Sequence, residues 1–206
     1  MANEFETRMQ QLIQAGQWDE FVHDCEAYEL EMFSKNPSFS DTNVWFYLGF
    51  LFGYLITDDV NNARFLYKRM KDAVKTDVEI QATWAIAKCI WNHKLPEAHA
   101  MAVAHSWQPQ SKVFVGALQD ALQQRTLKLY STAYSNIAIA DLAQALGCDD
   151  AQAVSMAQSK GLVQGVDGGY VIWKDTKAEH KTLASSDITG LETLKKLAQH
   201  TLFIEK

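Results

Sequence analysis

Along the first 133 residues, apolar positions recur every three or four residues, the spacing of one helix face. Phe5, Met9, Leu12 and Ile13 predict a first helix over 3–15, closed by Gly16. Trp18, Phe21, Val22, Cys25, Tyr28 and Phe33 predict a second, stopped at Asn36-Pro37. A third, roughly 41–57, takes Asp41 or Thr42 as its cap and holds the most apolar run, VWFYLGFLFGYLI (44–56). That run is 13 residues, short of the ~20 a membrane span needs, so it predicts a helix buried on most sides. In DDVNNARFLYKRM (58–70), Asp58 or Asp59 caps a fourth helix with Ala63, Leu66, Tyr67 and Met70 on one face. A fifth, over 79–94, packs Ile80, Trp84, Ala87, Ile90 and Trp91. Pro96 suits the first turn of a sixth, running to about His105, and a long seventh after Pro109 carries Val113, Phe114, Leu118, Leu122, Leu127 and Tyr130. Antiparallel pairs of such helices with short joints predict stacked hairpins of the tetratricopeptide or HEAT kind over 1–133. No fixed-period signature links the pairs, so a compact helical bundle is the alternative.

From residue 134 small residues replace aromatics, and every candidate strand lies here. Asn136 to Ala140 predict a short strand, Asp141 caps ADLAQALG, and Gly147 closes that helix. Asp149 or Asp150 caps the next, DAQAVSMAQSKG, which ends at Gly161. LVQGVDGGYVIWKD (162–175) splits at Asp167-Gly168-Gly169, a hairpin signal. Helix, strand, helix, helix, hairpin is the order of a winged helix, predicted over 134–175 with a small antiparallel sheet. A polar joint over 176–187 then leads to a C-terminal helix over 188–206. The fold class is therefore mainly α: helical hairpins, a winged helix, and a terminal helix.

Composition narrows the function. Net charge is −6, with 12 basic and 16 acidic residues over 1–133, 2 and 4 over 134–174, and 5 and 5 over 175–206. No block of like charge exists, so neither a nucleic acid nor a membrane surface is expected as a partner. The polar start MANEFETRMQQ is not a secretory signal, and three scattered cysteines (Cys25, Cys89, Cys148) fit reduced thiols in a cytosolic or nuclear protein.

Candidate chemistry is thin. Cys89 and His93 share a helix face, with His99 and His105 following, yet no second ligand pair converges with them. HExxH, P-loop, GxGxxG and GxSxG motifs are absent from the sequence, and no cofactor or catalytic residue is expected. Glu26, Glu29 and Glu31 read as the solvated face of an amphipathic helix. A DNA-reading helix should offer basic residues to phosphates. Residues 149–160 instead lead with Asp149 and Asp150 and offer only Gln152, Gln158 and Lys160, while the wing holds Asp167 and Lys174. Protein contact remains. Tyr170, Val171, Ile172 and Trp173 are expected to form an open sheet edge that pairs with another chain. Ile188, Leu191, Leu194, Ala198, Thr201 and Leu202 form an apolar stripe suited to a helix bundle with partners, or to folding back on this chain's own domain.

Three blocks carry a family resemblance. DDVNNARFLYKRM resembles an Asp-x-x-x-Ala-Arg-Phe/Tyr-Leu-Trp-Lys-Arg block, with Tyr67 where relatives often have Trp. WNHKLPEAHAMAVAHSW is similar to a Trp-x-x-x-x-Pro segment ending in Trp (here Trp91, Pro96 and Trp107), and AYSNIAIADLAQALG looks like the start of a winged helix. These belong to the PCI-domain family, shared by the proteasome lid, the COP-nine signalosome and translation initiation factor three, and the chain most resembles the signalosome branch. The match covers roughly 17–174, so residues 17–133 and the winged helix together would form the PCI domain. Where relatives tend to have Gly-Trp, this chain has Gly161-Leu162. The resemblance implies a non-catalytic scaffold subunit, cytoplasmic and nuclear, whose partners are other PCI subunits of a complex that removes Nedd8 from cullin-RING ubiquitin ligases. It also implies edge-to-edge pairing of winged helices and bundling of C-terminal helices.

Overall fold

Val44–Ile56 forms the helix around which the others are arranged (α3), and every residue from Phe46 to Ile56 is buried. A helix apolar on all sides has no face to give to solvent and must be surrounded. In this computed structural model, which describes residues 2–35 and 43–174, four helices surround it. They are α2 (Trp18–Lys35), α4 (Val60–Arg69), α6 (Val78–Trp91) and α8 (Lys112–Ala133). α1 (Ala2–Ala15) packs on α2 and α7 (Leu95–Ala104) on α6, giving the antiparallel hairpins that the periodicity predicts. A four-residue helix, α5 (Asp72–Lys75), joins α4 to α6 and is too short to leave a periodic trace.

Side-chain size sets how closely α2 and α3 approach. A Cβ on Gly53 would sit 3.0 Å from Val22 Cγ2 and 3.1 Å from Phe21 Cδ1, so only glycine fits there without displacement. Aromatic rings fill the rest, with Phe5 stacked on Tyr28 at 3.7 Å and Phe52 parallel to Phe114 at 5.8 Å.

Local capping refines the expected boundaries. Asn43 caps α3, its side chain accepting from Phe46 N at 3.2 Å; Asp41 and Thr42 lie outside the described residues, as does the Asn36-Pro37 stop. Of the two candidates for α4, Asp59 caps it, accepting from Asn62 N at 3.0 Å. Asp58 instead takes a left-handed φ of 67° to turn the chain out of α3. α6 stops at Trp91, short of the expected Lys94, because His93 adopts φ 57° in the turn to α7.

The 134–174 stretch is a winged helix: β1 (Asn136–Ala138), α9 (Ile139–Leu146), α10 (Asp150–Ser159), β2 (Val163–Asp167) and β3 (Tyr170–Trp173). Gly168 (φ 54°) and Gly169 (φ 86°) form the two-residue turn between β2 and β3, with Asp167 opposite Tyr170. Two successive positive φ angles make the tight turn that follows the strand twist, which is why glycine stands at both. β1 is shorter than expected, since α9 begins at Ile139; Asp141 falls in its first turn and is not its cap. Asp149 occupies the N-cap position of α10 without a side-chain capping bond.

Two cores result. The larger lies among α1 to α8, and the smaller gathers Leu142, Leu146, Ala157, Val171 and Trp173 against Leu127 of α8. α8 is shared, with Phe114, Leu118 and Leu122 in the first core and Leu127 in the second. The joint 176–187 and the helix expected over 188–206 lie outside the described residues.

Candidate functional site

The sheet corrects the expected edge. Its strand order is β1-β3-β2, both pairings antiparallel, so β3 is the central strand with both sides occupied. Residues 170–173 therefore do not form an open edge. The local pattern marks the hairpin, but nothing local shows that Asn136–Ala138 returns to pair with Tyr170–Ile172 across more than 30 residues. The outer edges belong to β1 and β2, and β2 carries a register irregularity between Val163 and Gly165.

Strand alternation then divides the four residues between two faces. Val171 is wholly buried and Trp173 nearly so, both in the smaller core. Tyr170 and Ile172 lie on the other face, and Tyr170 is half exposed. The six stripe residues from Ile188 to Leu202 lie outside the described residues.

α10 presents Gln152, Gln158 and Lys160 to solvent, behind Asp149 and Asp150 at its exposed leading end. The exposed hairpin turn adds Asp167. Burial raises the Cys148 thiol above its ordinary value, and the charges of Asp149 and Asp150 add to the rise.

A close seat joins the wing to the helical array. Gly147, left-handed at φ 65°, ends α9 directly over His99 of α7; a Cβ there would lie 2.6 Å from His99 Cβ. His99 is buried, its Nε2 has no hydrogen-bond partner, and desolvation lowers its pKa, so it sits neutral. Gln123 Nε2 of α8 donates to Leu146 O at 3.1 Å beside this contact.

Charged groups missed by pattern reading hold the array. Glu29 is buried and takes a two-pronged bond from Arg69, at 2.6 Å and 3.2 Å. Glu26 accepts from Tyr54 Oη at 2.8 Å, and burial followed by that bond raises the tyrosine's pKa. The solvated-face expectation thus holds for Glu31, which pairs with exposed Lys35, and fails for Glu29. A signal existed: Phe21, Cys25 and Glu29 are successive buried positions of one face. Glu79, also buried, accepts from Gln108 N at 2.7 Å and Ser111 Oγ at 2.8 Å, ahead of α8. Arg125 donates to the carbonyls of Leu55 and Ile56 and to Asp58 Oδ1, tying α8 to the end of α3.

Concave surfaces remain among the described residues. One, about 720 Å³, lies between α1 and the start of α2 and is lined largely by polar residues such as Thr7, Arg8, Gln11 and Glu20. Another, about 520 Å³, lies among α1, α2, α3 and the start of α8. A further one, about 740 Å³, lies between the α4 and α6–α7 side and the second half of α8. Its walls include Val60, Ile90, Trp91, Leu95, Leu122 and Leu129, of which Trp91 and Leu129 are well exposed. Arg64 lies 5.6 Å over the Trp91 ring. Among the described residues no group of three or more His, Cys, Asp or Glu gathers where a metal could bind, and no helix is long and apolar enough to cross a membrane.

Comparison with known proteins gives the chain's family and relatives. The profile of the CSN8/PSMD8/EIF3K family matches residues 41–182. The COP9 signalosome complex subunit 8 of Arabidopsis thaliana is 30% identical over 154 residues, covering 74% of this chain and 77% of that protein. Subunit 8 of Xenopus laevis is 29% identical over 153 residues (74% and 76%), and that of Dictyostelium discoideum 26% over 208 residues, covering 97% of both.

Proposed function

Since the chain belongs to the CSN8/PSMD8/EIF3K family, we propose that it is a scaffold subunit of the COP9 signalosome, non-catalytic and acting by protein contact. The observation that carries this reading is the likeness to signalosome subunit 8 proteins over about three quarters of the chain, and in one relative over nearly all of it. Architecture and chemistry support it. A winged helix on a helical array keeps the shape of a nucleic-acid reader but places aspartates at the leading end of its second helix. Its role in removing Nedd8 from cullin-RING ubiquitin ligases is to hold other PCI subunits in place, in the cytoplasm and nucleus.

On this reading the wing meets a neighbouring subunit through an outer edge, β1 or β2, with Tyr170 and Ile172 on the adjoining exposed face. The C-terminal residues Ile188, Leu191, Leu194, Ala198, Thr201 and Leu202 enter a helix bundle with partners. Affinity purification of the tagged chain from its own cells tests the assignment. Signalosome subunits are expected; recovery of proteasome-lid or initiation-factor subunits in their place refutes it.

A further inference from the structure

The 740 Å³ groove leaves Trp91 and Leu129 exposed, and the sequence carries an apolar stripe over residues 188–202. Exposed apolar patches of this kind mark contact surfaces. We infer that in the isolated chain the apolar face of residues 188–202 occupies the groove between α4, α6 and α8. The inference rests on the assembly reading in one respect: the same face leaves the groove for the partner bundle when the complex forms.

Position favours this occupant. The last described residue, Lys174, follows Trp173, which packs in the wing core with Leu127 and Tyr130. The groove uses Leu122, Thr126, Leu129 and Thr132, the same stretch of α8. Leu122 to Thr132 measures ~15 Å along the helix, while the 13 residues from 175 to 187 can span at most ~47 Å. Because groove and stripe belong to one chain, their contact is intramolecular and a weak one suffices. The 520 Å³ surface is the poorer host because Val113 and Phe114 line it from the opposite end of α8, and the 720 Å³ surface because polar residues such as Thr7, Arg8, Gln11 and Glu20 dominate its walls.

Charge permits the contact as well. Residues 175–206 carry five basic and five acidic side chains, so the tail brings no net charge to the groove. At the rim Asp58 is already paired with Arg125, and Lys128 is exposed beside Leu129. Apolar area therefore decides the fit, as in helix-in-groove recognition.

Hydrogen–deuterium exchange of the full, isolated chain tests the inference. Peptides over 188–202 are expected to exchange at least about tenfold more slowly than free amides. Leu129→Asp, an exposed position, should remove that protection while peptides from α6 keep theirs. Leu194→Asp should expose the groove side of α8 in the same way, and Leu30→Asp, on exposed α2 surface, should change neither. An unprotected tail in the wild-type chain overturns the inference. So does protection that survives both substitutions, or that appears only with dimer mass, which would seat a second copy in the groove. The purification test is read on assembled complexes, so either experiment can fail without the other.

Discussion

Gly147→Ala probes the seat of the wing on the array. The new methyl has two consequences. It places an L-residue at φ 65°, which costs ~1–2 kcal/mol, offset by ~0.4–1 kcal/mol from the stiffer unfolded chain. It also puts a carbon 2.6 Å from His99 Cβ and 2.7 Å from His99 Cγ, well inside contact distance. Neither His99 atom is the free end of a flexible chain, so α7 and α9 must separate, at the ~1–3 kcal/mol typical of overpacking. The expected loss is about 2–4 kcal/mol, read by equilibrium urea unfolding followed by circular dichroism. Gly161 supplies the control, having nearly the same φ (67°) and nothing within 4 Å of where a Cβ would stand. Gly161→Ala should lose only the backbone part, ~1 kcal/mol or less. Equal losses for the two substitutions would refute the steric argument. A double-mutant cycle with His99→Gly, which removes both the Cβ and the Cγ that the new methyl would meet, should recover most of the excess at Gly147 and none at Gly161.

Four further outcomes follow from the same contacts. Arg69→Met leaves Glu29 buried without its cation and should cost ~1–3 kcal/mol, the lower end reflecting Arg69's partial exposure; Glu29→Gln in the same chain should restore part of it, measured by urea midpoints. Burial holds the folded pKa of His99 below its ordinary 6.5, so the unfolded chain takes up that proton first and stability falls as pH drops below about 6.5. His99→Leu should therefore flatten the change in Tm between pH 7.5 and 5.5 relative to the wild-type chain. Val171→Asp buries a carboxylate in the small core and should unfold the wing, seen as rapid proteolysis within 134–174 while the array resists. Leu194→Asp should release the chain from its complex while the array and wing stay folded, and co-purification at wild-type levels would count against the bundle.

Much of this molecule is legible in its pattern of residues. The helices from α1 to α4 and α6 to α8 follow from apolar spacing alone, because a 3.6-residue period is a local property. The turn at Gly168-Gly169 is equally local, since two positive φ angles demand glycine whatever surrounds them. The acidic start of the second wing helix is local as well, and Asp149 and Asp150 are exposed at the leading end of α10.

Apart from short local features such as α5 and the cap of α9, what escaped the pattern joins residues far apart in the chain. The identity of the central strand depends on β1 returning to β3, and an open edge was expected where both sides are in fact paired. The Glu29–Arg69 pair spans 40 residues, and the Arg125 bond to Leu55 spans 70. His99 and Gly147 are unremarkable in sequence, and only their 2.6 Å geometry makes one a constraint on the other. Sequence by itself determined the longer helices of the array, the order of the winged helix and the spread of charge, because propensity, period and charge act over a few residues. Tertiary structure alone decided which edge is open, which carboxylate is buried and where the wing sits. Those depend on which surfaces exclude water together, and no local window contains both surfaces.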